Sequence, residues 1–251
     1  ITVINRSGEE EELDLDKINL MIDRCSYGLD VSISEVAINT HIKIADNIST
    51  DSIQQTLIRS ASEMITPERP DYAILAGRLM VTNMRKIVYG SFQPTNFYDY
   101  IQKNVQSGLY DKSILGLYTK EEIEEFGKYL DYDNDMQRPI SSIIQLESKY
   151  LIKNVKTSIQ SEMIQETFMI IPMVIFASEK NNRAQMVMDY YDTLKDDEIS
   201  LPTPIISGVR TRLKMFSSCC KIKMGDTTKS ILATEYALSL MTANRAGIGI
   251  D

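Results

Sequence analysis

The sequence predicts a mainly α-helical fold with a small β portion, and three observations carry that prediction. Apolar residues recur at helical spacing from about residue 14 to residue 198. Capping residues, glycines and prolines punctuate those stretches at intervals that suit helices of ordinary length. Strand-like segments are confined to residues 1–13 and to the region after residue 201.

Taken in order, Ile1 to Asn5 is a short strand, Arg6-Ser7-Gly8 a turn and Glu9 to Leu13 the return strand. Asp14 suits the N-cap of a helix that sets Ile18, Ile22 and Cys25 on one face, and Gly28 ends it. Ser32-Ile33-Ser34-Glu35 has capping-box spacing and opens a second helix through about Ala45. Thr50 caps a third. Pro67 and Pro70 separate it from a fourth, running from about Asp71 to Tyr89 and stopping at Gly90. Residues 1–90 thus read as a hairpin lid on about four helices.

Residues 91–200 read as a helical middle domain. Thr119-Lys120-Glu121-Glu122 is a further capping box, and Arg183 to Leu194 is amphipathic. Met163 to Ser178 is apolar on all sides with Pro172 inside it, the pattern of a buried, kinked helix. The character changes at Leu201-Pro202-Thr203-Pro204. Residues 201–251 then hold a strand from Phe216 to Met224, a Gly225-Asp226 turn, a helix from Thr228 to Asn244 and an apolar Gly247-Ile248-Gly249-Ile250 segment. Strand, helix and strand in that order imply a right-handed crossover in a largely parallel sheet.

Composition narrows the function. A formal charge of −8 argues against a broad nucleic-acid or membrane-surface footprint, which needs clustered Lys and Arg. A polyanionic small ligand remains compatible where a few cations and helix N-termini converge. The apolar run Phe168 to Ala177 is about half of the ~20 residues a membrane span needs. Cys25, Cys219 and Cys220 make no disulfide framework, which fits a reducing cytoplasm. The single His41 rules out a multi-histidine metal site. Asp131, Asp133 and Asp135 have the spacing of a calcium loop, but Met136 and Ser142 stand where Gly and Glu are needed, so no metal is expected. Gly247-Ile248-Gly249 lacks the rest of a dinucleotide fingerprint. The vicinal thiols have two readings. They are small residues packed in a strand, or strand alternation sends Cys220 to the core with Ile222 and Met224 and leaves Cys219 for chemistry on the polar face with Lys221 and Lys223.

Specific words then bear on family. Leu-Pro-Thr-Pro-Ile-Ile-Ser-Gly-Val-Arg-Thr (201–211), Phe-Ser-Ser-Cys (216–219), Gly-Asp (225–226) and Arg-Ala-Gly-Ile-Gly-Ile (245–250) resemble, in order and spacing, the large subunits of class I ribonucleotide reductases. Leu-Asp-Leu-Asp-Lys-Ile (13–18), Pro-Asp-Tyr (70–72), and Arg-Lys (85–86) followed by Tyr-Gly (89–90) resemble that family's ATP-cone. The resemblance implies an ATP-cone in residues 1–90, a helical domain in 91–200 and, in 201–251, the first strands of a ten-stranded α/β barrel.

It also implies roles. Cys219 sits where the family has one of two thiols that reduce the substrate, and Thr203, Ser218 and Gly247 match substrate-contacting positions. Asp226, Thr227 and Thr228 match the start of the specificity-effector loop, although Asp226 also reads as a helix cap. Glu11, Glu12, Leu13, Asp14, Leu15, Asp16, Lys17, Thr50 and Lys86 match the cone's ATP or dATP contacts. Asn5 stands where the family often has Lys, and the Glu9–Glu12 run adds negative charge, so triphosphate binding should be weaker than in relatives. The implied reaction reduces ribonucleoside diphosphates by thiyl-radical chemistry, under control by ATP, dATP and deoxynucleoside triphosphates. The implied partners are the remaining barrel, a separate small subunit bearing the metal-radical cofactor, thioredoxin or glutaredoxin, and further copies in an oligomer. This chain itself holds no cofactor. The family's radical cysteine, its second reducing cysteine and its shuttle cysteines have no counterpart here, so the resemblance implies no turnover by residues 1–251 alone. A stand-alone nucleotide-sensing cone is the rival from another class, but the substrate-site words at 216–219 have no use in a pure sensor. A cobalamin-dependent reductase, which needs no small subunit, is the second rival.

Overall fold

The computed structural model describes residues 1–213, 216–244 and 246–251; Arg245, the first residue of the 245–250 motif, lies outside them. The fold is mainly α with a small β portion, in two compact units: Ile1–Tyr100 with Glu121–Met169, and Ile101–Lys120 with Ile170–Asp251.

In the first unit, β1 (Thr2–Ile4) and β2 (Glu10–Glu12) form the expected antiparallel hairpin, with Val3 opposite Glu11. Asn5 braces the turn: its Oδ1 accepts from the amides of Ser7 and Glu9 at 2.9 and 3.0 Å. A third strand, β3 (Ile48–Ser49), pairs parallel to the other edge of β1, so the lid has three strands rather than two. Two residues are too few to display a period, which is why the sequence conceals this strand.

Helix α1 (Leu15–Ser26) starts as expected, with Asp14 Oδ1 accepting from the amides of Asp16 and Lys17, and buries Ile18, Ile22 and Cys25. Helix α2 (Ile33–His41) forms half a capping box. Ser32 Oγ accepts from the Glu35 amide, but the Ser32 amide donates to the Tyr72 hydroxyl and the Glu35 carboxylate pairs with Arg69 at 2.8 Å. It ends at His41, short of the expected Ala45, because the amides of Lys43 and Ile44 turn back to the carbonyls three residues earlier. Ser49, not Thr50, caps α3 (Thr50–Glu63), its Oγ accepting from Ser52. Ser49 ends β3 in the extended conformation that an N-cap needs, and Thr50 is already helical.

Helix α4 (Asp71–Tyr89) has the expected bounds and ends at Gly90, whose φ of 73° is the left-handed value that favours glycine. Val3, Ile22, Val36, Leu57, Leu75 and Leu79 form a core that also includes Ile140 of α7 (Ile140–Lys149). A Cβ on Gly77 of α4 would lie 2.3 Å from the Arg138 carbonyl oxygen, so only a glycine permits this backbone contact.

Between α4 and α7 the chain forms α5 (Phe97–Gln106) and α6 (Lys120–Tyr129); Thr119 directly precedes the latter. Helix α8 (Ile164–Ile175) is almost wholly buried and contains Pro172. In the second unit, Tyr118 donates to the Met173 carbonyl, and α9 (Arg183–Lys195) buries Val187, Tyr191 and Leu194. The Leu201–Pro204 stretch is not a plain break. It leads into a short helix, α10 (Thr203–Gly208), whose first turn tolerates Pro204 because an amide there needs no helical partner.

Strand β4 (Cys219–Ile222) is shorter at both ends than the expected Phe216–Met224. It pairs parallel with β5 (Gly247–Ile250), Cys219 opposite Gly247, and α11 (Thr228–Ala243) joins them. Alternation along β4 is as expected, with Cys219 exposed. The opposite face is not core, however. Cys220 and Ile222 are half-buried and Met224 is exposed, since a two-stranded sheet leaves much of its surface to solvent.

Candidate functional site

Two groups of the expected residues come together, in different regions. The first is a cleft of about 350 Å³ in the first unit, bounded by the hairpin, α1, the start of α3 and the end of α4. Lys17 and Lys86, Thr50, Glu11, Leu13 and Asp14 line it. Glu12, Leu15 and Asp16 line only the shallow surface groove beside it, together with Glu11 to Asp14 and Lys17.

The cleft also has residues that the motif words did not single out: Arg6, Gln54, Asn83 and Phe92. Arg6 comes from the hairpin turn, and its Nη2 donates to Asn83 Oδ1 on α4 at 2.7 Å and lies 3.4 Å from Asp51. Asn83 is buried, so its amide fixes the guanidinium at the mouth. Lys86 Nζ stands 4.2 Å over the Phe92 ring. The charge balance therefore differs from the one that Asn5 and Glu9–Glu12 suggest. Asn5 is occupied with the turn, Arg6 beside it supplies a cation, and of the four glutamates only Glu11 lines the cleft. Asp14 is committed to the α1 N-terminus. Arg6 was legible only as a turn residue, and Phe92 lies just past the helix stop, where periodicity is silent.

Three cations, a half-buried hydroxyl at a helix start and an apolar floor from Ile18, Met21, Ile53 and Leu57 suit an amphipathic polyanion. The volume falls in the range of small-molecule sites.

The second group lies at the tips of β4 and β5. The Gly247 amide donates to the Ser218 carbonyl at 2.7 Å, and Ser218 Oγ is 3.8 Å from Cys219 Sγ, so Ser218, Cys219 and Gly247 are immediate neighbours. A Cβ on Gly247 would stand 3.2 Å from the Ser218 oxygen, so glycine keeps this edge open to a close approach. Thr203 is exposed at the start of α10. At the start of α11, Thr227 rather than Asp226 is the cap, its Oγ1 accepting from Ser230, while Ser230 Oγ accepts from the Gly225 amide. A threonine hydroxyl one residue nearer the helix closes that ring, which leaves the Asp226 carboxylate exposed. Among the described residues no group of three or more His, Cys, Asp or Glu is placed to hold a metal, and no helix is long and apolar enough to cross a membrane.

Comparison with known proteins finds two matching domain families in the chain. Residues 1–87 match the ATP cone domain and residues 136–214 the ribonucleotide reductase all-alpha domain. The whole chain is similar to ribonucleoside-diphosphate reductase alpha subunits. It is 40% identical over 253 residues to subunit alpha of reductase 1 of Escherichia coli (strain K12), which covers 100% of this chain and 33% of that one. The Haemophilus influenzae subunit is 38% identical, covering 100% and 34%, and that of Enterobacteria phage T4 36%, covering 100% and 33%. The chain spans about a third of the length of the curated relatives it matches.

Proposed function

We propose that this chain, which carries an ATP-cone domain and the all-alpha domain of ribonucleotide reductase, is the regulatory and substrate-entry portion of a ribonucleoside-diphosphate reductase alpha subunit. Its domains are the cone (1–90), the helical domain (91–200) and the first strands of a barrel (201–251). The cone cleft takes ATP or dATP. Lys17, Lys86 and Arg6 face the phosphates, and Thr50 offers its hydroxyl at the start of α3. The single observation that carries this reading is the convergence of Lys17, Thr50 and Lys86, from three separate helices, on one cleft.

Cys219 is one thiol of the pair that reduces a ribonucleoside diphosphate. The departing 2′-hydroxyl leaves as water, and the two thiols end as a disulfide. Thr203, Ser218 and Gly247 approach the substrate, and Asp226, Thr227 and Thr228 begin the site for deoxynucleoside triphosphate specificity effectors. The exposed faces of β4, β5 and α11 pair with the remaining barrel. A small subunit bearing a metal-radical cofactor supplies the radical, thioredoxin or glutaredoxin restores the thiols, and the assembly works as a cytoplasmic oligomer.

Calorimetric titration of the 251-residue chain with ATP and dATP tests the cleft. Lys86→Ala should weaken binding about tenfold, the loss of one charge-assisted phosphate contact. Absence of heat with either nucleotide would refute it.

A further inference from the structure

Below the last two turns of α4 lies a buried polar cluster that holding a nucleotide does not itself require. Glu166 on α8 and Asp135 are each 1% exposed. Asp135 is held by Gln165, whose Nε2 donates to Oδ1 at 2.6 Å, and by Arg138, whose Nε is 4.0 Å away. Among the described residues, the donors to Glu166 are neutral: the hydroxyls of Tyr89 on α4 and of Tyr132, and its own backbone amide. Glu166 Oε2 and Asp135 Oδ2 make no hydrogen bond among the described residues. The other groups facing the pair are Asp131, Arg85 of α4, which donates to the Tyr132 carbonyl at 2.6 Å, and Tyr100 of α5, whose ring is 6.3 Å from that of Tyr89.

Two buried carboxyls this poorly compensated do not both ionise readily. Burial pushes Glu166 up to about 7 and Asp135 to about 6, with the arginines and Gln165 opposing the shift at Asp135. Burial and then the Glu166 charge raise the Tyr89 hydroxyl well above its ordinary range, so Tyr89 remains a donor. Lys86 of the cleft and Tyr89 are three residues apart on α4, about 4.5 Å along the axis.

We propose that ATP or dATP binding in the cleft is coupled to proton uptake by the Glu166–Asp135 pair, with the end of α4 as the shared element between Lys86 and Tyr89. This rests on the cleft being a nucleotide site. A triphosphate brought to Lys86, Lys17 and Arg6 adds negative charge at Lys86, one helical turn along α4 from Tyr89, the donor to Glu166, and favours the protonated form of Glu166. By reciprocity, the protonated chain binds the nucleotide more tightly. A shift of about half a unit in Glu166 corresponds to an affinity change of about threefold between acid and alkaline conditions.

The test is calorimetry of ATP binding to the 251-residue chain near pH 7, in two buffers of different ionisation enthalpy, which yields the protons bound per nucleotide. The wild type should take up more protons than Glu166→Gln; titration of the γ-phosphate is common to both. Tyr89→Phe, which leaves Glu166 in place but removes one donor to its ionised form, should move the uptake maximum to higher pH. Equal uptake in wild type and Glu166→Gln, or an unmoved maximum in Tyr89→Phe, with ATP still bound, would overturn the coupling alone. Absence of ATP binding by the wild type would overturn both the coupling and the nucleotide cleft.

Discussion

Helix α4 buries ten of its nineteen residues, whereas α11, with sixteen, buries only Thr234. The two are not opposites in composition. Ile231, Leu232, Tyr236 and Leu240 of α11 are apolar yet 44%, 59%, 69% and 48% exposed. On α4 the apolar residues fall on the face that meets α1, α3 and α7, so the sequence and its surroundings agree. On α11 apolar residues surround the helix, the pattern of an element packed on several sides. The cone thus closes its core together with α7, while β4, β5 and α11 present surface of the kind that other packing elements cover. In the proposed reading, a site made by closing a core, such as the cleft, works within these residues, whereas one at the open strand tips, such as Cys219, acts with what covers them.

The largest effect that could break this contrast concerns the thiols. In the alpha subunit proposed above, Cys219→Ser should abolish dithiol-dependent nucleotide reduction, and Cys220→Ser should leave most activity, because alternation turns Cys220 to the face opposite Cys219. Equal loss from both, measured as deoxynucleotide formed, would cancel the distinction. A second test addresses the closed side. Gly77→Ala should destabilise the first unit by about 1–3 kcal/mol, since the methyl group meets a backbone carbonyl rather than a movable side chain; urea denaturation followed by helical signal reads this, and an unchanged midpoint would mean that α4 can shift freely.

A smaller effect concerns pH. The raised Glu166 and Asp135 values mean that the native state retains protons that the unfolded chain releases. This contribution to stability is full below the unfolded values near pH 4 and is lost as pH rises through about 6 and then about 7. Glu166→Gln should therefore flatten the fall in stability between about pH 5 and pH 8, with a gain on the order of 1–2 kcal/mol at the alkaline end. Equal pH slopes in the two proteins would show that Glu166 ionises without cost.

Much of this was legible in the sequence, for physical reasons that particular residues illustrate. Asp14, Gly28 and Gly90 mark helix ends because capping and left-handed backbone depend on local chemistry, and the bounds of α4 follow from Pro70 and Gly90. What depends on distant partners was hidden. Strand β3 exists because β1 offers it an edge, α2 stops early, and Glu35 leaves its own capping box for Arg69. In the cleft, Lys17, Thr50 and Lys86 were found by family words, whereas Arg6 enters because buried Asn83 of α4 accepts its guanidinium from across the fold. The Glu166–Asp135 pair was invisible for the same reason: Asp135 stood in the sequence only as one member of a calcium-loop spacing, and burial and Gln165 give it its setting.

Hydrogen exchange on the 251-residue chain, with and without ATP, bears most directly on the contrast between a closed cone and an open strand pair. Without ligand, amides of α1, α3 and α4 should exchange slowly and those of residues 216–250 quickly. ATP should slow the hairpin turn, the starts of α1 and α3, and residues 82–92, leaving residues 216–250 unchanged until the complementary barrel fragment is added. Slow exchange across residues 216–250 in the isolated, monomeric chain, or ATP protection that bypasses Thr50 and Lys86, would contradict the account.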